Sequence, residues 1–177
     1  LVLSSKIIQK SINLIKYISS KNFRLYPSDD LIGVQLGGAI KNVYAISSGI
    51  VAGLNYGENA RAAILTRGLA ETSRLVVGLG GQKETVFGLA GAGDMALSCL
   101  SSTSRNFSWG YSLAKNQGTK GILVEGINAA KMAMFNANKL KIEMPITELV
   151  AKASQSNLDL TLEVKRMLER PPKLEWK

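Results

Sequence analysis

Histidine is absent from the 177 residues, cysteine occurs once, at Cys99, and the first 28 residues contain no acid. Lack of histidine removes Ser-His-Asp hydrolysis and Cys-His chemistry, and a single cysteine supports neither a zinc cluster nor a disulfide framework, so no metal site is expected. A catalyst built from this chain has to rely on Lys, Asp, Glu, Tyr or Arg. The unpaired thiol, with no basic, apolar, small-residue leader at the start, gives the expectation of a cytoplasmic setting. Aromatics make up only 6% of the chain, and the basic run at its start has the ordinary form of a helix face, so nucleic acid is not an expected partner.

What the chain does contain is an excess of positive charge: 22 basic and 13 acidic residues, a net +9. Lys6, Lys10, Lys16, Lys21 and Arg24 supply +5 of it before residue 29. The ordinary account is a solvated helix face, and the pattern agrees: Ile8, Ile12, Ile15 and Ile18 recur at helical spacing within residues 5–19. Residues 23–26 alternate like a short strand. A helix and a strand do not make a domain, and the chain opens on Leu1, so residues 1–28 are expected to be the end of a preceding domain, with residues 29–177 forming the main one.

From Leu31 onward the pattern is helical, predicting segments at 31–54, 58–78, 92–101, 105–116, 125–138 and 146–169. Turns are expected at Gly80-Gly81, Gly118 and Asn136. Asn55 and Glu58 have the spacing of a capping box, and Pro145 suits the first turn of the last helix. The expected fold class is mainly α.

Between Asp30 and Glu58 lie 27 residues in which Lys41 is the only charge. An ammonium in so apolar a stretch is costly unless it is paired, hydrogen-bonded or able to shed its proton. A membrane span is disfavoured by Gln35, Asn42, Ser47, Ser48 and Asn55, leaving a buried central helix. Its small-residue stripe of Gly38, Asn42, Ala45, Gly49 and Ala52 or Gly53 invites close approach by another backbone. Two roles stay open for Lys41: a structural ion pair, or an amine that accepts a proton. The partner to look for is Asp94, the only charge between Val86 and Leu100.

Asp94 follows a glycine-rich run in which residues 91–96 match GxGxxA. The preceding strand and following crossover of a dinucleotide site are missing, so the run reads as a tight turn aiming Asp94. Ten residues on, Ser104, Arg105 and Asn106 precede a helix. A hydroxyl, a guanidinium fork, an amide and free N–H groups suit a phosphate or carboxylate, although a plain serine cap beside an exposed arginine would look the same.

Taken together, GAIKNV, the ENARAAILTRGLAE helix, GLAGAGDMALSC, SRN, VEG and EMPIT resemble, in order and spacing, the C-terminal domain of NAD(P)-dependent glycerol-3-phosphate dehydrogenases, over about Asn22 to Thr147. The resemblance implies an all-helical substrate domain following a Rossmann domain, with NAD or NADP as cofactor. It implies Lys41 as proton acceptor, Lys41, Asp94, Ser104, Arg105 and Asn106 as substrate contacts, and Arg105, Leu123 and Glu125 as cofactor contacts. The implied reaction interconverts glycerol 3-phosphate and dihydroxyacetone phosphate, supplying phospholipid synthesis. The implied partners are a phosphate-bearing small molecule, the chain's own Rossmann domain and a second copy in a homodimer. Because a nucleotide-binding half is not present here, little turnover is expected of this chain alone. The competing reading is a non-catalytic helical assembly or anion-binding module.

Overall fold

A computed structural model describes residues 1–118, 124–155 and 158–171. The chain begins with strand β1 (Val2–Ser4), helix α1 (Ile8–Ile18) and strand β2 (Tyr26–Ser28), the strands pairing in parallel with Val2 opposite Tyr26. The helix expected at 5–19 is thus present. The strand expected at 23–26 lies further along, and β1 was not anticipated at all. Three residues carry no readable period, and what makes each a strand is the other one. Phe23 makes only an isolated bridge to Ser20.

Helix α2 (Leu31–Gly53) is the axis of the remainder. Around it lie α3 (Gly57–Gly78), α4 (Lys83–Phe87), a π-helical turn at Leu89–Gly93, α5 (Asp94–Leu100), α6 (Arg105–Ala114), α7 (Glu125–Leu140), α8 (Pro145–Lys152) and α9 (Leu160–Leu168). Val43, Tyr44, Ala45, Ile46 and Ile50 on α2 are fully buried, joined in the core by Leu75 and Val76 of α3, Met95 and Cys99 of α5, Ala130 and Ala137 of α7, and Val150 of α8. Burial of each larger aliphatic side chain contributes about 1.5–3 kcal/mol. This explains why α2 is apolar on almost every face: helices surround it. The class is mainly α, and among the described residues no helix is long and apolar enough to cross a membrane.

Three local expectations fail for identifiable reasons. Asn55 does not cap α3: it adopts a left-handed conformation ending α2, its side chain accepts from Lys115 Nζ at 3.3 Å, and Tyr56 is the residue before α3. Asn136 lies inside α7, donating to the Met132 carbonyl at 2.9 Å, and the turn comes at the left-handed Lys141. The helix expected at 146–169 is two helices, α8 and α9, because Asp159 starts a new one by accepting from Leu162 N at 2.9 Å. Gly80, at φ +87°, forms the expected turn after α3.

Candidate active site

Asp30 caps α2, accepting from Gly33 N at 2.8 Å and from Gln82 N at 2.9 Å. Burial pushes its carboxyl up, but hydrogen bonds from Gly33, Thr85, Gln82 and Ile32 outweigh that and hold it below the ordinary range. This carboxylate therefore fixes both the start of α2 and the turn leading into α4. About three helical turns further along stands Lys41. Its Nζ lies 2.9 Å from Asp94 Oδ2, with the two side chains 29% and 35% exposed. The solitary charge is thus neither buried nor unpaired; it sits at the rim of the helix cluster with the carboxylate anticipated for it. A pair this open contributes only ~0–1 kcal/mol to stability. Folding energy alone gives little reason for its place.

The glycine-rich run positions Asp94. Gly91 N and Gly93 N both donate to the Gly88 carbonyl, at 3.3 and 3.2 Å, closing the π-helical turn that leads directly into α5. The turn lies backbone against backbone on α2: a Cβ on Gly37 would collide with the Ala90 carbonyl oxygen. The run follows helix α4 rather than a strand, so its GxGxxA has the setting of a packing turn and not that of a dinucleotide loop.

Ser104 is the N-cap of α6, its Oγ accepting from Phe107 N at 3.4 Å. Arg105 projects outward with its side chain 90% exposed, one guanidinium nitrogen 3.8 Å from Glu125 Oε1. Asn106 Oδ1 accepts from Gly126 N at 3.2 Å, tying α6 to the first turn of α7. Glu125, 70% exposed, also accepts from Asn42 Nδ2 at 3.4 Å, and a Cβ on Gly126 would lie 2.6 Å from the Asn42 carbonyl oxygen. Asn42 follows Lys41 in sequence. The proton-bearing pair and the Ser104–Asn106 turn are thereby connected through Asn42, Gly126 and Asn106, while Leu123 lies outside the described residues. The sequence offers Asn42 only as a polar interruption of the apolar run and a member of the packing stripe; its place beside Lys41 was the available signal of more.

That stripe is realised in part. Gly49 and Gly53 meet α6, whereas a Cβ on Gly38 would meet nothing within 4 Å, and Gly37 makes the close approach at that end. The reason is registry: Gly38 lies a few residues beyond the reach of α6, toward the open rim where Lys41 stands.

Two polar centres carried no signal in the sequence. Glu71, buried in α3, accepts from Ile146 N and Thr147 Oγ1 at 2.8 Å, Thr147 N at 3.2 Å and Tyr44 Oη at 3.3 Å, holding the start of α8. Burial raises its carboxyl above the ordinary range despite those donors, and burial beside Glu71 drives the Tyr44 hydroxyl well above its own. Arg61 is the second. Its Nη2 donates to the Cys99 and Leu100 carbonyls at 3.0 and 3.1 Å, its Nη1 to both Glu58 oxygens at 2.8 and 2.9 Å, its Nε to Ser48 Oγ at 3.5 Å, and its guanidinium lies 5.1 Å from the Phe107 ring centre. Cys99 is buried and its thiol is pushed up to about 12, chiefly by desolvation, so it is no nucleophile. Among the described residues no three His, Cys, Asp or Glu side chains converge on a possible metal position.

Comparison with known proteins bears on this arrangement. The family model described as NAD-dependent glycerol-3-phosphate dehydrogenase C-terminus matches residues 30–165. The chain is similar to the glycerol-3-phosphate dehydrogenase [NAD(P)+] of Rhizobium johnstonii, 48% identical over 161 residues that make up 89% of this chain and 49% of the relative. It is 44% identical over 158 residues to that of Staphylococcus aureus, covering 86% and 48%. The crystal structure of glycerol-3-phosphate dehydrogenase from Coxiella burnetii superposes with a TM-score of 0.88 at 42% identity, over 96% of this chain and 54% of that one. The chain spans about half the length of the curated relatives it matches.

Proposed function

The chain belongs to the NAD-dependent glycerol-3-phosphate dehydrogenase family, matching its C-terminal domain, and from that premise we propose that it is the substrate-binding and proton-relaying half of an enzyme interconverting sn-glycerol 3-phosphate and dihydroxyacetone phosphate. The observation that carries this reading is the Lys41–Asp94 pair at 2.9 Å, linked through Asn42 and Gly126 to the Ser104–Asn106 turn. One end can handle a proton, and the other can hold an anion.

In the direction of reduction, Lys41 in its ammonium form donates a proton to the carbonyl oxygen of dihydroxyacetone phosphate as that oxygen becomes a hydroxyl. In the direction of oxidation, the amine takes the carbinol proton back. Asp94 holds the nitrogen in place and offsets its charge when it is protonated. Ser104, Arg105 and Asn106, with the N–H groups opening α6, receive the phosphate. NAD or NADP, when bound, supplies or accepts the hydride. The residues present fit that group only at its edge: the guanidinium of Arg105 and the carboxylate of Glu125 are exposed and touch each other at 3.8 Å, leaving most of their capacity for a ligand.

The rest of a nicotinamide dinucleotide site belongs to a Rossmann half, of which we take residues 1–28 to be the last part. Their β1–α1–β2 order with parallel strands is the repeating unit of such a domain. The family match begins only at residue 30, and Leu1, Ile7, Leu14, Tyr17, Ile18 and Tyr26 are exposed as if awaiting neighbours. A cytoplasmic location, a homodimeric state and a role in supplying phospholipid synthesis belong to the same reading.

The test joins this chain to a nucleotide-binding half and follows nicotinamide absorbance with dihydroxyacetone phosphate. Lys41→Ala should lower kcat by ~10²–10⁴-fold with the fold intact. Turnover near that of the parent would remove Lys41 from the role of base.

A further inference from the structure

The proton pair and the anion turn are joined by one rigid element. Helix α5 begins at Asp94 and ends at Leu100; Ser101–Thr103 then carry the chain into Ser104 and α6. Seven residues span about 10 Å, so the helix acts as a short spacer between the two ends. Lys41 holds its first residue. Arg61 holds its last: the Nη2 edge of its fork donates to the Cys99 and Leu100 carbonyls, two of the orphan acceptors that end every helix. Ser48 Oγ reinforces the joint by donating to the Cys99 carbonyl at 2.9 Å.

The same guanidinium also lies against the ring of Phe107, two residues past Arg105, and is anchored on the other side by Glu58. Its side chain is only 13% exposed. One planar cation thus touches α2, α3, the end of α5 and the first turn of α6, at the corner where the two functional segments meet. Stability alone would be served by a cation at the end of any of these helices. This one sits at the junction that sets how far Asp94 stands from Arg105 and Asn106.

We propose that Arg61 is a positioning residue that sets the distance between the Lys41–Asp94 pair and the phosphate-binding turn at Ser104–Asn106. It acts through the carbonyls ending α5 and the ring of Phe107 and touches no substrate atom. The inference rests on the functional reading above, and it predicts an asymmetry. Inorganic phosphate uses the turn alone, whereas sn-glycerol 3-phosphate must reach both ends. A shift of the joint spares the first ligand and penalises the second.

The experiment measures affinity of this chain, joined to a nucleotide-binding half as above, for inorganic phosphate and for sn-glycerol 3-phosphate by calorimetry, with Arg61→Lys and Arg61→Met and with thermal unfolding of each variant recorded alongside. Lysine retains a charge but is a point donor and cannot span two carbonyls, Ser48 and Glu58 together. In both variants, affinity for sn-glycerol 3-phosphate should fall about tenfold, since small displacements of reacting or binding groups are costly, while affinity for phosphate changes less than about twofold. Equal losses for the two ligands, or no loss for either, would overturn the inference by reducing Arg61 to a prop of the fold. Ser48→Ala, which removes one tie of the joint and keeps the guanidinium, should show the same asymmetry at smaller size and decides the matter if the Arg61 variants do not fold. If the unsubstituted chain itself fails to distinguish the two ligands, the functional reading falls, and this inference with it; that outcome is visible before any variant is measured.

Discussion

Substituting Ala for Gly at two positions of α2 should change stability in opposite directions. Helix propensity alone favours Ala over Gly by about 1 kcal/mol at either site. At Gly38 nothing stands within 4 Å of the added methyl, so Gly38→Ala should stabilise by about 0.5–1 kcal/mol. At Gly49 the methyl would run into the Phe107 carbonyl oxygen and lie 2.9 Å from both the Phe107 carbonyl carbon and the Tyr111 nitrogen, where ordinary contact begins at 3.4 Å. The obstacle is backbone of α6, which cannot rotate aside as a side chain can. Accommodating the methyl requires α6 to retreat by roughly an ångström, an overpacking cost of about 3 kcal/mol. Less the propensity gain, the net loss is about 2 kcal/mol, lowering Tm by roughly 4–8 °C for a chain of this size. Urea unfolding followed by circular dichroism measures both variants. If Gly49→Ala proves as stable as Gly38→Ala, the α2–α6 contact is looser than described and the reasoning fails. A second consequence follows from position if the proposed function holds: α6 carries Arg105 and Asn106, so its displacement should also weaken the proposed binding of sn-glycerol 3-phosphate, which Gly38→Ala should leave nearly intact.

Asp30 and Glu71 give opposite contributions to the pH dependence of stability. The Asp30 carboxyl is depressed in the folded chain, so its stabilisation is present above the ordinary value of 3.8 and lost as pH falls through the folded value. Asp30→Asn should therefore flatten the acid limb of a stability profile as pH falls below the ordinary value of 3.8, and an unchanged limb would refute the assignment. Glu71 is raised, so its contribution is greatest below the ordinary value of 4.5 and declines as pH rises through the folded value. Glu71→Ala leaves the buried Ile146 and Thr147 N–H groups without their acceptor and should cost about 2–4 kcal/mol in chemical denaturation. Cys99, with its thiol at about 12 and no exposure, should resist alkylation by iodoacetamide at pH 8 until the chain unfolds; rapid labelling of the native protein would contradict its burial.

Legibility in the sequence varied with the physical origin of each feature. Helix α2 was placed to within a residue, 31–54 against Leu31–Gly53, because its length, apolar run and flanking charges are local properties. Helix α6 was placed equally well at its start, where Ser104 caps it. Ends decided elsewhere were missed. Lys141 closes α7 in a left-handed conformation with no glycine to announce it, whereas the break between α8 and α9 had a local signal, the polar residues 154–157 followed by the cap Asp159, that a single helix over 146–169 passes over. Strands β1 and β2 define each other, so neither could be read alone. At the candidate site, isolation in charge pointed to Lys41 and Asp94. Arg61 and Glu71 stand in unremarkable helical sequence, and only their partners show what they hold.

By itself, then, the sequence determined the helical class, the extent of the central helix, the absence of histidine chemistry, and the isolation of one ammonium and one carboxylate from other charges. These follow from composition and from periodicities that act over a few residues. Only the tertiary structure decided that Lys41 meets Asp94 across 53 positions, that both stand part-exposed at a rim, and that the start of α7 joins Asn42 on one side to Asn106 of α6 on the other. Such pairings are set by which helix faces approach and how closely, and here the approach is governed by glycines whose missing side chains say nothing until the opposing backbone is in place.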